Sequence, residues 1–215
     1  VRGTIWSAGC ANGQEPWSLA MLLDEAGLTG WDIVATDVSI TALARAKSGI
    51  YETRALRGLS DERRERHLRR GDDGRWSVRA HLRPRVRFLV HNLVEDAPPV
   101  TPGACRVVMC RNVLIYLRHE DTRRVLERMH ALLAPDGVLV VGGAEALVAR
   151  DVPFRADWHG STFVYRPHAA AASAVGEAPA RARAPRPPRA PRERAPVQAA
   201  AGDEALPTIE ELLAR

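Results

Sequence analysis

Glu15, Asp37, Arg111, Asn112 and Tyr116 are the residues of this chain whose types and neighbours suit chemistry. Glu15 comes just after Gly9 and Gly13 in the stretch Thr4-Ile-Trp-Ser-Ala-Gly-Cys-Ala-Asn-Gly-Gln-Glu-Pro-Trp17. Glycine permits positive φ and lets a ligand approach the main chain, and Pro16 suits the first turn of a helix, where its missing N–H costs nothing. The spacing Gly-x-x-x-Gly is neither the dinucleotide Gly-x-Gly-x-x-Gly nor a phosphate loop ending in Lys-Ser/Thr. A carboxylate at a helix N-terminus repels the phosphates that such a terminus attracts. It suits a cation.

S-adenosylmethionine carries an ammonium and a sulfonium and has no phosphate, so it fits an acidic glycine turn better than NAD or ATP does. Asp37 ends the apolar stretch Trp31-Asp-Ile-Val-Ala-Thr-Asp37, in the place where α/β nucleotide binders hold ribose hydroxyls. Arg111 and Asn112 follow the apolar run Val107 to Cys110, at the edge where α/β sheets bind ligands, and Tyr116 comes within a turn or two. Taken singly, each has a plainer reading. Glu15 pairs with a helix dipole, Asp37 caps the next helix, Arg111 is a salt-bridged strand end, and Tyr116 is a core ring with its hydroxyl at the surface.

The elements that position these residues read as alternating strands and helices. A strand opens the chain, an apolar helix begins near Glu15, and Trp31 to Asp37 is the next strand. Ser39 to Lys47 reads as a capped helix ending at Ser48-Gly49, and Ser60 caps a charged helix. Glu120 to Leu133 is amphipathic, Ala134-Pro-Asp-Gly137 turns the chain, and Val138 starts another buried strand. Such alternation predicts an α/β fold with a doubly wound, mostly parallel sheet. Trp76 and Val78, then Val86 and Phe88, alternate with polar neighbours and predict two antiparallel strands carrying Arg75, Arg79, Arg83, Arg85 and Arg87. The arginines read either as an exposed ribbon that docks an acidic surface or as the polar face of half-buried strands.

The 215 residues carry a net charge of +5, which fits an acidic partner without requiring nucleic acid. No apolar run approaches the roughly 20 residues of a membrane span, and no signal peptide is visible. Cys10, Cys105 and Cys110 form neither a disulfide framework nor a finger-like set, so no metal site is expected and the cytoplasm is the default compartment. The chain starts at Val1, straight into the first strand, as expected of part of a longer protein.

Trp6-Ser-Ala-Gly-Cys-Ala-Asn-Gly-Gln-Glu-Pro-Trp-Ser18, Ala35-Thr-Asp37, Ala46-Lys-Ser-Gly-Ile-Tyr51, Asn92-Leu93, Cys110-Arg-Asn-Val-Leu-Ile-Tyr116 and Leu133-Ala-Pro-Asp-Gly137 stand in that order. Together they resemble the chemoreceptor glutamate methyltransferases of the CheR type, over Trp6 to about Arg166. The resemblance implies a class I S-adenosylmethionine-dependent methyltransferase domain over residues 1–167, with a small antiparallel β-subdomain at about 71–90. It implies cofactor contacts from Gly9, Glu15, Asp37, Asn92, Leu93, Arg111 and Asn112, with Tyr116 near the transferred methyl and S-adenosylhomocysteine as the product. The implied partners are acidic cytoplasmic helices of chemoreceptors, docked by the arginine strands of a monomeric catalytic domain. A related binding module, holding the cofactor or its product as a scaffold, is the alternative.

The chain departs from the family at several points. Gln14 stands for the usual second acid of the first motif, and Ala144-Glu-Ala replaces a Ser-Glu-Asn. The turn at Gly71 to Gly74 is short for members that bind a receptor-tail peptide, and the family's all-helical N-terminal domain has no counterpart. Residues 168–205, rich in Ala, Pro and Arg, read as a disordered linker, and 206–215 as the start of a helix capped by Thr208.

Overall fold

The computed structural model describes residues 2–145, 152–159 and 162–168. The linker and terminal helix expected after residue 168 lie outside the described residues, as does most of the Ala-Glu-Ala segment's continuation.

Strand β1 (Gly3–Ala8) enters the core at once, and helix α1 (Gln14–Glu25) follows the glycine turn with Pro16 in its first turn. Strand β2 (Trp31–Asp37) and helix α2 (Ile40–Ser48) come next. Ser39 starts α2, its Oγ accepting from the Ala42 N–H at 3.2 Å, and Gly49 at φ 60° stops it. Strand β3 (Ile50–Tyr51), helix α3 (Asp61–His67), β4 (Leu68–Arg70) and β5 (Trp76–Val78) build a second, three-stranded sheet in the order β3-β5-β4. The chain then returns through a 3-10 turn, Ala80–Arg85, to β6 (Val86–Val90).

Beyond it lie β7 (Cys105–Cys110), α4 (His119–Leu132), β8 (Leu133–Val141), β9 (Phe154–His159) and β10 (Thr162–Pro167). The main sheet runs β6-β2-β1-β7-β8-β10-β9. β6, β2, β1, β7 and β8 are mutually parallel, while β10 is antiparallel to both β8 and β9. The chain winds outward from β1 through β2 to β6, then restarts on the other side of β1 with β7. That reversal is a topological switch point, where the loops after adjacent strands diverge and leave a crevice.

The sheet separates two cores. On one face Trp17, Leu19, Met21 and Leu23 of α1 pack with Leu43 of α2, Ile5, Ile33 and Phe88. On the other Val125, Leu126, Met129 and Leu132 of α4, one stripe at helical spacing, cover Trp6, Val108 and Leu139. Ala134 to Gly137 loops out of the β7–β8 ladder, which pairs Cys105 with Leu133 and resumes at Val107 with Val138. The expected turn therefore lies inside a strand, as a bulge.

The expected antiparallel ribbon at 71–90 is divided between the two sheets. Trp76–Val78 pairs with β3 and β4, whereas Val86–Val90 runs parallel to β2 at the edge of the main sheet. Period-two alternation predicts a strand but not its partner. Pro84 has no N–H to offer an antiparallel neighbour, and Phe88 packs on Trp17 at 5.5 Å between ring centroids. The small sheet therefore comprises strands within 50–78.

Candidate active site

The cleft at the switch point is built by the loops that leave β1, β2, β6 and β7. It has a volume of about 390 Å³ and is lined by Gly9, Asp37, Asn92, Leu93, Asn112 and Tyr116, together with Ala11, Val38, His91, Val94, Val113 and Leu117. A pocket of this size accepts a nucleoside-sized ligand. A larger hollow, about 700 Å³ between Asp32, Arg85 and Pro98 to Pro102, opens at the start of the strands. Ligands of open α/β sheets bind at the other end.

Gly9 adopts φ 74°, and a Cβ there would stand 2.4 Å from Val113 Cγ2. No side chain fits between the β1 loop and the β7 loop, so glycine keeps the two close. Gly9 and Cys10 both donate their N–H to the Thr36 carbonyl at 2.8 Å, and Trp6 Nε1 donates to Thr36 Oγ1 at 3.0 Å. Asp37 accepts from the Ala11 N–H and the Ser39 N–H, each at 2.8 Å. The same carboxylate thus holds Ala11 at its left-handed φ of 47° while its side chain lines the cleft. Asn92 Oδ1 accepts from the Val94 N–H at 3.0 Å, an Asx turn that shapes the wall after β6.

Glu15 and Arg111 are not in the lining of this cleft. They lie beside it as a pair, Arg111 Nη1 to Glu15 Oε2 at 3.7 Å, and Ser7 Oγ donates to Glu15 Oε1 at 2.8 Å. Burial pushes the Glu15 carboxyl above its ordinary range, against the lowering effects of the Ser7 bond and the Arg111 charge. Since its folded pKa is raised, the stability linked to its protonated form is present below the unfolded value and is lost as pH rises through the folded one. Glu15→Gln is therefore expected to unfold at a higher temperature than the parent at pH 7 and to lack that acid-limb dependence. Thermal unfolding from pH 4 to pH 7 checks this.

Burial also pushes the Cys10 thiol up to about 12, with Asp37 and Glu15 adding to the effect, and raises Cys110 further. These cysteines are protonated packing groups, not nucleophiles.

Glu145 is the site residue that local sequence reasoning did not single out. It is fully buried in the turn after β8, and its carboxylate accepts five backbone N–H groups. Oε2 takes those of Asn112 at 2.8 Å and Gly142 at 2.7 Å. Oε1 takes those of Val113, Leu114 and Ile115 at 2.8, 2.7 and 3.3 Å. These donors belong to the loop in which Asn112 turns at φ 58° and the 3-10 turn Leu114–Tyr116 begins. Glu145 thus sets the backbone that carries Asn112 and Tyr116. A glycine pair before a lone acid, Gly142-Gly-Ala-Glu145, was the available signal: a Cβ on Gly142 would lie 2.7 Å from Glu145 Oε2.

Tyr116 is 81 % exposed, so it is not a core ring. It stands at the rim of the cleft with Val38 also exposed nearby in the lining.

The chain's residues 2–157 match the family described as CheR methyltransferase, SAM binding domain. This chain belongs to that family. It is 45 % identical over 151 residues to chemotaxis protein methyltransferase 1 of Pseudomonas aeruginosa, covering 66 % of this chain and 54 % of that protein. Over 151 residues it is 41 % identical to chemotaxis protein methyltransferase Cher2 of Pseudomonas putida, with the same shares of 66 % and 54 %. The chain spans about half the length of these curated relatives. Among solved structures it is similar to a TehB-like SAM-dependent methyltransferase from Corynebacterium glutamicum, at 20 % identity and TM-score 0.47, covering 77 % of this chain and 79 % of that one.

The cofactor of this family fits the cleft on one structural ground. The lining contains an acid, Asp37, and no lysine or arginine. A phosphate-bearing ligand would find no cation there, whereas the hydroxyls and positive charges of S-adenosylmethionine meet acceptors. Asp37, Asn92 and the Leu93 region would hold it.

The five arginines do not share a surface role. Arg83 donates to the carbonyls of Lys47 and Ser48 at 3.2 and 2.8 Å, capping the end of α2, and Arg85 donates to Leu28 O at 2.7 Å. Arg79 donates to Glu65 O at 2.9 Å and Arg75 pairs with Asp73 at 2.6 Å. Arg87 is exposed on the edge strand of the other sheet. The five arginines therefore do not form one ribbon on a single pair of strands. Arg83 and Arg85 tie elements together, because their partners sit on α2 and after α1, far away in sequence.

Among the described residues no helix is long and apolar enough to cross a membrane.

Proposed function

We propose that the protein of which this domain is part methylates glutamate γ-carboxylates of chemoreceptors, using S-adenosylmethionine. The observation that carries this reading is the acidic, cation-free cleft at the switch point with the exposed Tyr116 at its mouth. Bound S-adenosylmethionine supplies an electrophilic methyl, which a glutamate oxygen takes as an ester while the carbon–sulfur bonding pair stays on sulfur. A glutamate carboxyl with a pKa near 4.3 is already ionised at neutral pH, so the chain needs no general base. Its residues have to align and exclude water, and orientation of this kind is worth roughly 7–11 kcal/mol at best.

Asp37 holds the cofactor's ribose end, Gly9 leaves room for it against the main chain, and Tyr116 donates its hydroxyl to the incoming carboxylate or steadies the methyl. The acceptor approaches from outside, where Tyr116 and Val38 are open to solvent. Receptor helices rich in acid would be drawn to the small sheet and α3, whose Arg66, Arg69, Arg70, Arg75 and Arg79 are exposed. Such attraction mainly speeds encounter and is screened within about 8 Å at physiological salt.

The test is transfer of labelled methyl from S-adenosylmethionine to receptor cytoplasmic fragments by the complete protein. Label should appear as base-labile esters on glutamate. Tyr116→Phe should lower the rate about tenfold, the effect of one hydrogen bond, with S-adenosylhomocysteine affinity unchanged within about twofold. Equal rates in variant and parent would remove Tyr116 from the reaction. Binding of S-adenosylhomocysteine without any methyl transfer would instead make the domain a cofactor-binding scaffold.

A further inference from the structure

Away from the cleft, one side-chain cluster lacks an explanation in the chemistry above. Asp24 near the end of α1, His67 at the end of α3 and His81 in the 3-10 turn after β5 converge on one point. Each offers one ligand atom, and these atoms lie within 4.8 Å of one another. His67 Nδ1 is 3.9 Å and His81 Nε2 is 3.7 Å from Asp24 Oδ2. None of these separations is a hydrogen bond.

His67 is fully buried, and its Nδ1 has no hydrogen-bond partner. Its other nitrogen, Nε2, lies 2.9 Å from Glu25 Oε1. Glu25 is itself gripped by Arg63, whose Nε donates to both carboxylate oxygens at 3.0 and 3.1 Å. A carboxylate can only accept, so Nε2 carries a proton, and in the neutral ring Nδ1 then presents a bare lone pair. That lone pair faces the Asp24 oxygen, another acceptor, in a place where burial makes an unmet acceptor costly. The imbalance calls for a cation between them.

We propose that Asp24, His67 and His81 bind a zinc ion that fastens the small sheet to the main one. Two imidazoles and a carboxylate are a borderline-soft N/O set suited to zinc, with a fourth, water-filled position. At metal bonds of about 2.0–2.2 Å, tetrahedral ligand atoms stand roughly 3.3 Å apart, so the observed spacing needs a small inward turn of both Asp24 and His81. His81 is 48 % exposed and has room for it. The Glu25–His67 bond supplies the outer-shell carboxylate that orients a metal-ligating imidazole. Arg85 sits against the other oxygen of Asp24, Nη2 to Oδ1 at 3.8 Å, leaving Oδ2 to the metal. His67 and His81 lie on the two connections that enter and leave β4 and β5, and Asp24 lies on the helix under the main sheet. One ion would therefore close both ends of the small sheet on α1.

The experiment uses the full chain without an affinity tag, stripped of metal and then titrated with zinc alone. The expected result is one zinc per chain retained on dialysis, and at a hundredfold excess over Kd a folded-to-unfolded ratio raised about 100-fold. His81→Ala, at an exposed position that folding tolerates, should abolish retention. Glu25→Gln, which touches no metal, should weaken zinc about 10- to 100-fold, an effect that chance binding to surface histidines would not show. Cobalt in place of zinc should give visible d–d bands without a thiolate charge-transfer band. No stoichiometric zinc at micromolar concentration, retention undiminished in His81→Ala, or a thiolate band pointing to the cysteines would each overturn the proposal.

Discussion

Glu145→Gln is expected to destabilise the domain by roughly 2–6 kcal/mol. Whichever way the amide is turned, its NH₂ replaces one of the two carboxylate oxygens. Replacing Oε2 orphans the N–H groups of Asn112 and Gly142, and replacing Oε1 orphans those of Val113, Leu114 and Ile115. At least two buried or half-buried donors then face a donor, at about 1–3 kcal/mol each. Against a total stability of about 5–15 kcal/mol, that is a large share. Glu145→Ala, which removes every acceptor, is expected to leave little folded protein. Gly142→Ala should follow Glu145→Gln, because its new methyl would push the carboxylate off its donors from 2.7 Å away. Urea unfolding measures all three. A Glu145→Gln protein with the parent's midpoint would mean that water already serves these N–H groups. S-adenosylhomocysteine affinity should fall in step, since Asn112 and Tyr116 ride on the same backbone.

Asp37→Ala is expected to weaken S-adenosylhomocysteine binding about 100-fold or more while the fold survives. Two losses combine in that figure. A charge-assisted hydrogen bond to the ligand is worth about 1.5–3 kcal/mol, and the Ala11 turn loses the acceptor that holds its positive φ. Ala11 and Ser39 are exposed, so water replaces the carboxylate at their N–H groups and the stability cost stays near 1 kcal/mol. Asp37→Asn keeps one carbonyl acceptor and should fall between parent and Asp37→Ala. Isothermal calorimetry separates the affinities, and thermal unfolding shows that the protein remains folded. An unchanged Kd in Asp37→Ala would leave Asp37 as a helix-capping residue and nothing more. Glu15→Gln offers the contrast: outside the lining of the cleft, it should stabilise the free domain, because an incompletely paired carboxylate in a partly desolvated place costs folding free energy.

Strands β1 and β2, helices α1, α2 and α4, and the glycine turn were legible in the sequence because each is specified locally. Trp31 to Asp37 centres on the apolar run Ile33-Val-Ala35 between turns, and Ser39 and Gly49 bound α2 with a cap and a left-handed stop. The order of the motifs carried the family, and with it the meeting of Gly9, Asp37, Asn92 and Asn112 in one cleft. What depended on partners distant in the chain was decided only by the tertiary structure. Val86 to Val90 alternates as any edge strand does, and whether it joins β5 or β2 turns on Pro84 and on Trp17, 71 residues before Phe88. An arginine's sequence neighbours do not say whether its fork will find a carbonyl, so Arg83 and Arg85 looked like surface charge until Ser48 and Leu28 were brought to them. The same holds for Glu145, a single acid among small residues, four of whose five donors lie about 30 positions earlier, and for Asp24, His67 and His81, which no spacing rule connects. Local propensity and periodicity determine the elements, because they act between near neighbours. Hydrogen-bond satisfaction and charge pairing determine the site, because a buried polar group takes whatever partner the packed fold places beside it.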